Sequence, residues 1–112
     1  MAYRMTARFV RPDTATDFPS TFTLTDSDYT TRSNNFMTWL GGRSDVTTST
    51  YTSADELTFE FRMDFADADA QAAYAADFNA LDQDQYDPQA ASSYVTYMTD
   101  NNITYTTIYG EV

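Results

Sequence analysis

A chain of 112 residues without cysteine or histidine excludes a disulfide framework and thiolate chemistry, and it lacks the commonest metal ligand and near-neutral acid–base group. Six arginines and no lysine stand against fourteen aspartates and three glutamates, so the net charge is −11 and the surface is hostile to phosphate backbones and anionic membranes. The length predicts one α+β domain over residues 1–112, and the 16% aromatic content argues against disorder.

The first strand is predicted at Tyr3–Val10, where Tyr3, Met5, Ala7 and Phe9 alternate with Arg4, Thr6, Arg8 and Val10. Pro12 ends it, and Pro12 with Pro19 marks the next stretch as loop. The opening residues carry no basic segment followed by an apolar one, and no apolar run is long enough for a membrane span. The expectation is a protein cytoplasmic in the producing cell, or one carried from there into a virion.

A helix is expected next, with Thr25, Asp26 or Ser27 as N-cap and Asp28 in its first turn. Tyr29, Phe36, Met37 and Leu40 form its apolar stripe, and Gly41-Gly42 its stop through a left-handed cap. Its middle, "TTRSNN", has poor helix propensity, so the competing plan makes this region a long loop. Residues 45–53 are β-branched and polar and predict an edge strand that turns at Ser53-Ala54-Asp55. The strand that follows alternates most strictly. Leu57, Phe59, Phe61, Met63 and Phe65 make an apolar face, and Thr58, Glu60, Arg62 and Asp64 a polar one.

Asp67 is placed to cap a helix over 67–81, with Asp69 in the first turn and Ala70, Tyr74, Phe78 and Leu81 on the inner stripe. "DQDQYD" interrupts it. Asp87 then caps a helix with Pro88 at its first position, Tyr94 and Met98 inward, and Asn101-Asn102 as its end. A closing strand puts Ile103, Tyr105, Thr107 and Tyr109 on one side and Thr104, Thr106 and Ile108 on the other. The order β-α-β-β-α-(α)-β is that of a ferredoxin-like split βαβ fold. Its sheet is four-stranded and antiparallel, with the first and third strands central and helices on one face.

That plan gathers Arg4, Arg8, Glu60, Arg62 and Asp64 on the open sheet face. They are either salt-bridged on a solvated sheet, or an interface with a second copy, or an anion site. The leading functional expectation is a non-enzymatic assembly module that forms a homo-oligomer through this face. A second is an acidic inhibitor that imitates nucleic acid toward a basic protein, using Asp64, Asp67, Asp69, Asp77, Asp82, Asp84 and Asp87. A third is a small-ligand-binding or enzymatic domain with a pocket under the sheet, in which Tyr3, Tyr74, Tyr94, Tyr105 or Tyr109 serves as a general acid.

Direct nucleic-acid binding is not expected. RNA-recognition motifs place aromatics on the open face of their third strand within a glycine-containing motif, and "LTFEFRMDF" has neither feature. Asp82 and Asp84 open like a calcium loop, but Asp87 stands where glycine is needed and Ser93 where glutamate is needed. No phosphate loop fits three glycines, so neither cofactor nor metal is expected. Trp39 reads as a core anchor or a partner hot spot.

Overall fold

The alternation of β1 (Tyr3–Val10) and β3 (Thr58–Phe65) sets two faces that the other strands keep, in a computed structural model that describes residues 2–112. The sheet order is β2-β3-β1-β4, with β2 at Thr47–Thr52 and β4 at Thr104–Glu111, and every pairing is antiparallel. This is the expected α+β split βαβ arrangement, with the first and third strands central. Across the centre, Met5 faces Met63, Ala7 faces Phe61 and Phe9 faces Phe59, while Arg4 faces Asp64 and Arg8 faces Glu60. β2 carries exposed residues throughout and is an edge strand.

The helical layer lies over the Met/Phe face. It comprises α1 (Ser27–Gly41), α2 (Ala68–Asn79), α3 (Gln83–Tyr86), a 3-10 turn (Pro88–Ala90) and α4 (Ser92–Asp100). Aspartates start most of these elements. The carboxylates of Asp26, Asp67, Asp82 and Asp87 accept the backbone N–H of Tyr29, Ala70, Asp84 and Gln89 at 3.0, 2.8, 3.1 and 3.0 Å.

"TTRSNN" is helical despite its propensity, and the reason is tertiary. Arg32 donates to Asp28 one turn earlier at 2.9 Å and to the Gln83 carbonyl at 3.0 Å, and the Asn35 amide donates to the Gln85 carbonyl at 2.9 Å. The polar side of α1 thus gives the Gln85 carbonyl of the one-turn helix α3 a donor, and it adds a second donor to the Gln83 carbonyl, which already accepts the Asp87 N–H.

Four expectations need correction. Gly42 ends α1 in a right-handed conformation (φ −83°), its N–H on the carbonyls of Thr38 and Trp39. The left-handed residues are Glu56 and Asn102. Met37 is 52% exposed, because the inner line of α1 runs through Tyr29, Ser33, Phe36 and Leu40, and Met37 sits one helical step off it. α2 stops before Leu81, and the "DQDQYD" that interrupts the helices itself supplies the one-turn α3. The last helix is broken at Ala91, which is extended, fully buried and leaves α4 without a side-chain cap.

Two apolar clusters hold the layers together. One joins Leu24, Tyr29, Ala91, Tyr94, Met98 and Ile103; the other joins Leu40, Met63, Phe65 and Tyr74. α1 reaches both, since Tyr29 and Leu40 are about 16 Å apart along the helix. Between the clusters the layers do not close on each other.

Candidate functional site

On the open sheet face the five residues singled out from the sequence do come together. Asp64 accepts two hydrogen bonds from the Arg4 guanidinium, at 2.7 and 3.0 Å, in the forked geometry that fits a carboxylate. Glu60 sits between Arg8 (Nε to Oε2, 2.6 Å) and Arg62 (Nε to Oε1, 2.9 Å). The Arg62 guanidinium also lies 4.5 Å from the ring centre of Tyr51 on β2.

Glu60 is only 4% exposed, although no other layer covers this face, and Thr6 beside it is buried as well. The long arginine side chains lie over the middle of the sheet and roof it. Burial pushes the Glu60 carboxyl up, but the hydrogen bonds from Arg8 and Arg62 outweigh it and leave the group below its ordinary value. The Arg4 hydrogen bond does the same for Asp64 against a weaker opposing burial. The pairs therefore close within the chain, Arg4–Asp64 and Arg8–Glu60 across strands and Arg62–Glu60 along β3.

The acidic residues outside the sheet do not share one task. Asp67, Asp82 and Asp87 cap helical turns, Asp69 and Asp84 occupy first turns, and Asp77 accepts from Arg43 at 2.9 Å. Arg43 also stacks on Trp39, 5.0 Å from its ring centre, and Trp39 packs on Phe36, Tyr74 and Phe78. Trp39 is thus a core anchor on the helical side. Among the described residues no three carboxylates are grouped to hold a metal ion, and no helix is long and apolar enough to cross a membrane.

The other face of the sheet holds a cleft of about 510 Å³ between the two clusters. Its floor is central sheet, with Met5, Ala7 and Phe9 from β1 and Phe59, Phe61 and Met63 from β3. Ala7 lies at the middle of that floor between Phe61 and Thr107 on the neighbouring strands, and its small side chain leaves the space above it open. The roof comes from Ser33 and Phe36 of α1 and from Gln71, Tyr74 and Phe78 of α2.

Tyr94, Tyr105 and Tyr109 complete the walls, so four of the five tyrosines expected near a pocket are there and Tyr3 stands outside. The Tyr29 and Tyr94 rings are parallel within 3° at 6.2 Å. Phe36 meets Phe78 edge-on at 5.6 Å, and Phe9 meets Tyr105 at 5.0 Å.

Polar groups of the cleft differ in access: Thr21, Asn79 and Tyr109 are solvent-exposed, and Asp87, Gln89 and Tyr105 are partly buried. The hydroxyls of Tyr94 and Ser33 are sealed from solvent and have no hydrogen-bond partner. Burial pushes the Tyr74 phenol up to about 12 and raises Tyr94 also, so both stay protonated at neutral pH. The Gln71 carboxamide, by contrast, is half-exposed, and its N–H points at the Met5 thioether sulfur at 3.8 Å, a weak acceptor. The sequence alone does not single out Gln71, Ser33 or Ala7 as site residues. A trace of each was there: a polar residue beside the α2 stripe, a serine on the α1 stripe, and one alanine among large residues on the inner face of the central strand.

No family model matches this chain, and no curated protein matches it. A solved structure similar to it is that of Rv0793 from Mycobacterium tuberculosis, at 11% identity over 100% of this chain and 97% of that one, with a TM-score of 0.40. A likeness at that level shows neither a shared site nor a shared activity.

Proposed function

We propose that this protein binds a small, largely apolar molecule in the cleft between its sheet and its helices. The observation that carries the reading is the cleft itself, about 510 Å³ of aromatic-walled space separating two clusters that would otherwise be one core. That volume is within the range of roughly 300–1,000 Å³ typical of small-molecule sites, whereas voids in an ordinary core rarely exceed a water molecule.

The test is a fluorescence titration with prodan, an uncharged naphthalene fluorophore, on the wild-type chain and on Ala7→Phe. A phenylalanine at the middle of the floor fills the cleft without changing a charge or a hydrogen bond. Saturable one-to-one binding, lost in a variant that still folds, is the expected result. Binding that does not saturate, or that survives Ala7→Phe undiminished, removes the reading.

A second reading, assembly through the open sheet face, draws on charge. That face carries three guanidiniums and two carboxylates, a surplus of one positive charge on a chain of net −11. Its natural complement is an acidic surface, and the helical side of a second copy is one. Light scattering after gel filtration, at low salt and at about 1 M salt, where screening acts beyond roughly 3 Å, is the check. An oligomer at low salt that dissociates at high salt and in Arg62→Glu is expected. A monomer throughout removes this reading and leaves the cleft untouched.

A further inference from the structure

Resting on the cleft reading, we infer that the ligand belongs to one chemical class: a flat aromatic molecule without charge that carries a hydroxyl or carbonyl, which the Gln71 carboxamide recognises. The walls argue for flatness, because their rings come from sheet and helices on opposite sides, Phe61 and Phe59 below and Phe36 and Phe78 above. A ring between them stacks or meets edges on both sides.

Charge argues for neutrality. No arginine is among the walls. Arg4, Arg8 and Arg62 pair on the far side of the sheet, Arg11 lies over Phe18, Arg43 over Trp39, and Arg32 is turned to Asp28 and the α3 carbonyls. An anion entering the cleft would lose its water without gaining a cation, and it would first have to approach a chain of net −11. A cation is drawn by the field and finds ring faces and a single carboxylate, Asp87, in the walls, but burying it would exchange its full hydration shell for that one group and the rings.

Position over the floor selects the recognising group: Thr21, Asn79, Gln89 and Tyr109 also line the cleft, but Gln71 is the one that contacts the central strand, at Met5. The Tyr94 and Ser33 hydroxyls are sealed off, so a ligand in the cleft does not reach them without displacing its walls. Gln71 stands on α2 above Met5, reaches the open space and has only a thioether to give up. An amide offers both a donor and an acceptor, so it fits a phenol or a carbonyl equally.

The experiment compares 2-naphthol, naphthalene, 2-naphthoate and a trimethylammonium naphthalene, titrated by their own fluorescence at neutral pH. The proteins are wild type, Gln71→Leu and Ala7→Phe. In wild type, 2-naphthol is expected to bind roughly three- to tenfold more tightly than naphthalene, the worth of one hydrogen bond. Both charged probes should bind more weakly than 2-naphthol. Gln71→Leu should abolish the advantage of 2-naphthol while leaving naphthalene at least as tight as before.

Equal or tighter binding of either charged probe overturns the inference, and so does an advantage of 2-naphthol that persists in Gln71→Leu. These outcomes leave the cleft reading standing, provided Ala7→Phe still removes binding. If no probe binds wild type, or Ala7→Phe changes nothing, the cleft reading falls and the ligand class falls with it.

Discussion

The two faces of one sheet have opposite fates. On the open face, Arg4, Arg8, Glu60, Arg62 and Asp64 complete one another within 3.0 Å and bury a glutamate where no second layer exists. On the covered face, residues chosen for apolarity stop short of completing one another, and Phe59, Phe61, Phe9 and Phe36 remain half-buried around open space. Charge pairing is settled between neighbours along β3 and between adjacent strands about 5 Å apart. Apolar closure needs two layers at the right separation, and here the helices rest mainly on one another. The lesson is that burial on this molecule does not follow layering.

The largest expected effect separates packed from unpacked parts of the covered face. Phe65→Ala, in the cluster with Leu40 and Tyr74 and only 2% exposed, should cost about 3–5 kcal/mol in urea unfolding. Phe61→Ala, partly exposed at the cleft floor, should cost less, about 2 kcal/mol. Equal losses would mean that the covered face is packed throughout.

The next effect separates the centre of the open face from its end. Glu60→Ala leaves two guanidiniums facing each other without the carboxylate between them, at a cost of about 1–3 kcal/mol. Arg4→Met breaks a pair whose members are each about a quarter exposed and should stay within about 1 kcal/mol. If Glu60→Ala is as mild as Arg4→Met, the arginine roof adds nothing.

Proton linkage sharpens the same contrast from both ends of the pH scale. Asp64 and Glu60 lie below their ordinary values of 3.8 and 4.5 in the folded chain. Their contribution is therefore present in full above about pH 5 and is lost as pH falls through those values and then through the lowered folded ones. Melting curves of Glu60→Gln and wild type should converge as pH drops from 5 toward 3. Curves that stay parallel would mean Glu60 titrates alike folded and unfolded.

On the covered face the sign reverses. Tyr74, raised by burial from 10.0 to about 12, stabilises fully below pH 10, and that contribution disappears as pH rises toward 12. Tyr74→Phe should flatten this alkaline limb, the smallest of the four effects to measure. An unchanged limb would place the ionising group elsewhere.

Much of this was legible in the residues because it is local. The period-two alternation of β1 and β3 named both faces, and the short polar side chains of Asp26, Asp67 and Asp87 marked the starts of helical turns, whereas Asp82, read as part of an interruption, starts one as well. The element order then led to the split βαβ sheet, and with it the meeting of Arg4 and Arg8 with carboxylates of β3. The pairing within that group was not legible: that Arg4 faces Asp64 and Arg8 faces Glu60 is a matter of register that one strand alone does not carry.

What the tertiary structure alone decided is the height of the roof. "TTRSNN" is a helix because Arg32 and Asn35 bind carbonyls about fifty positions further on, and those same bonds tie α1 to α3 beside it. Propensity reads neighbours in the chain, and these partners are not neighbours. Whether ten aromatic side chains fuse into one core or part around a cleft depends on where such distant contacts hold the helices. For that reason Gln71, an ordinary polar residue in the sequence, gains its meaning only from the open space it meets.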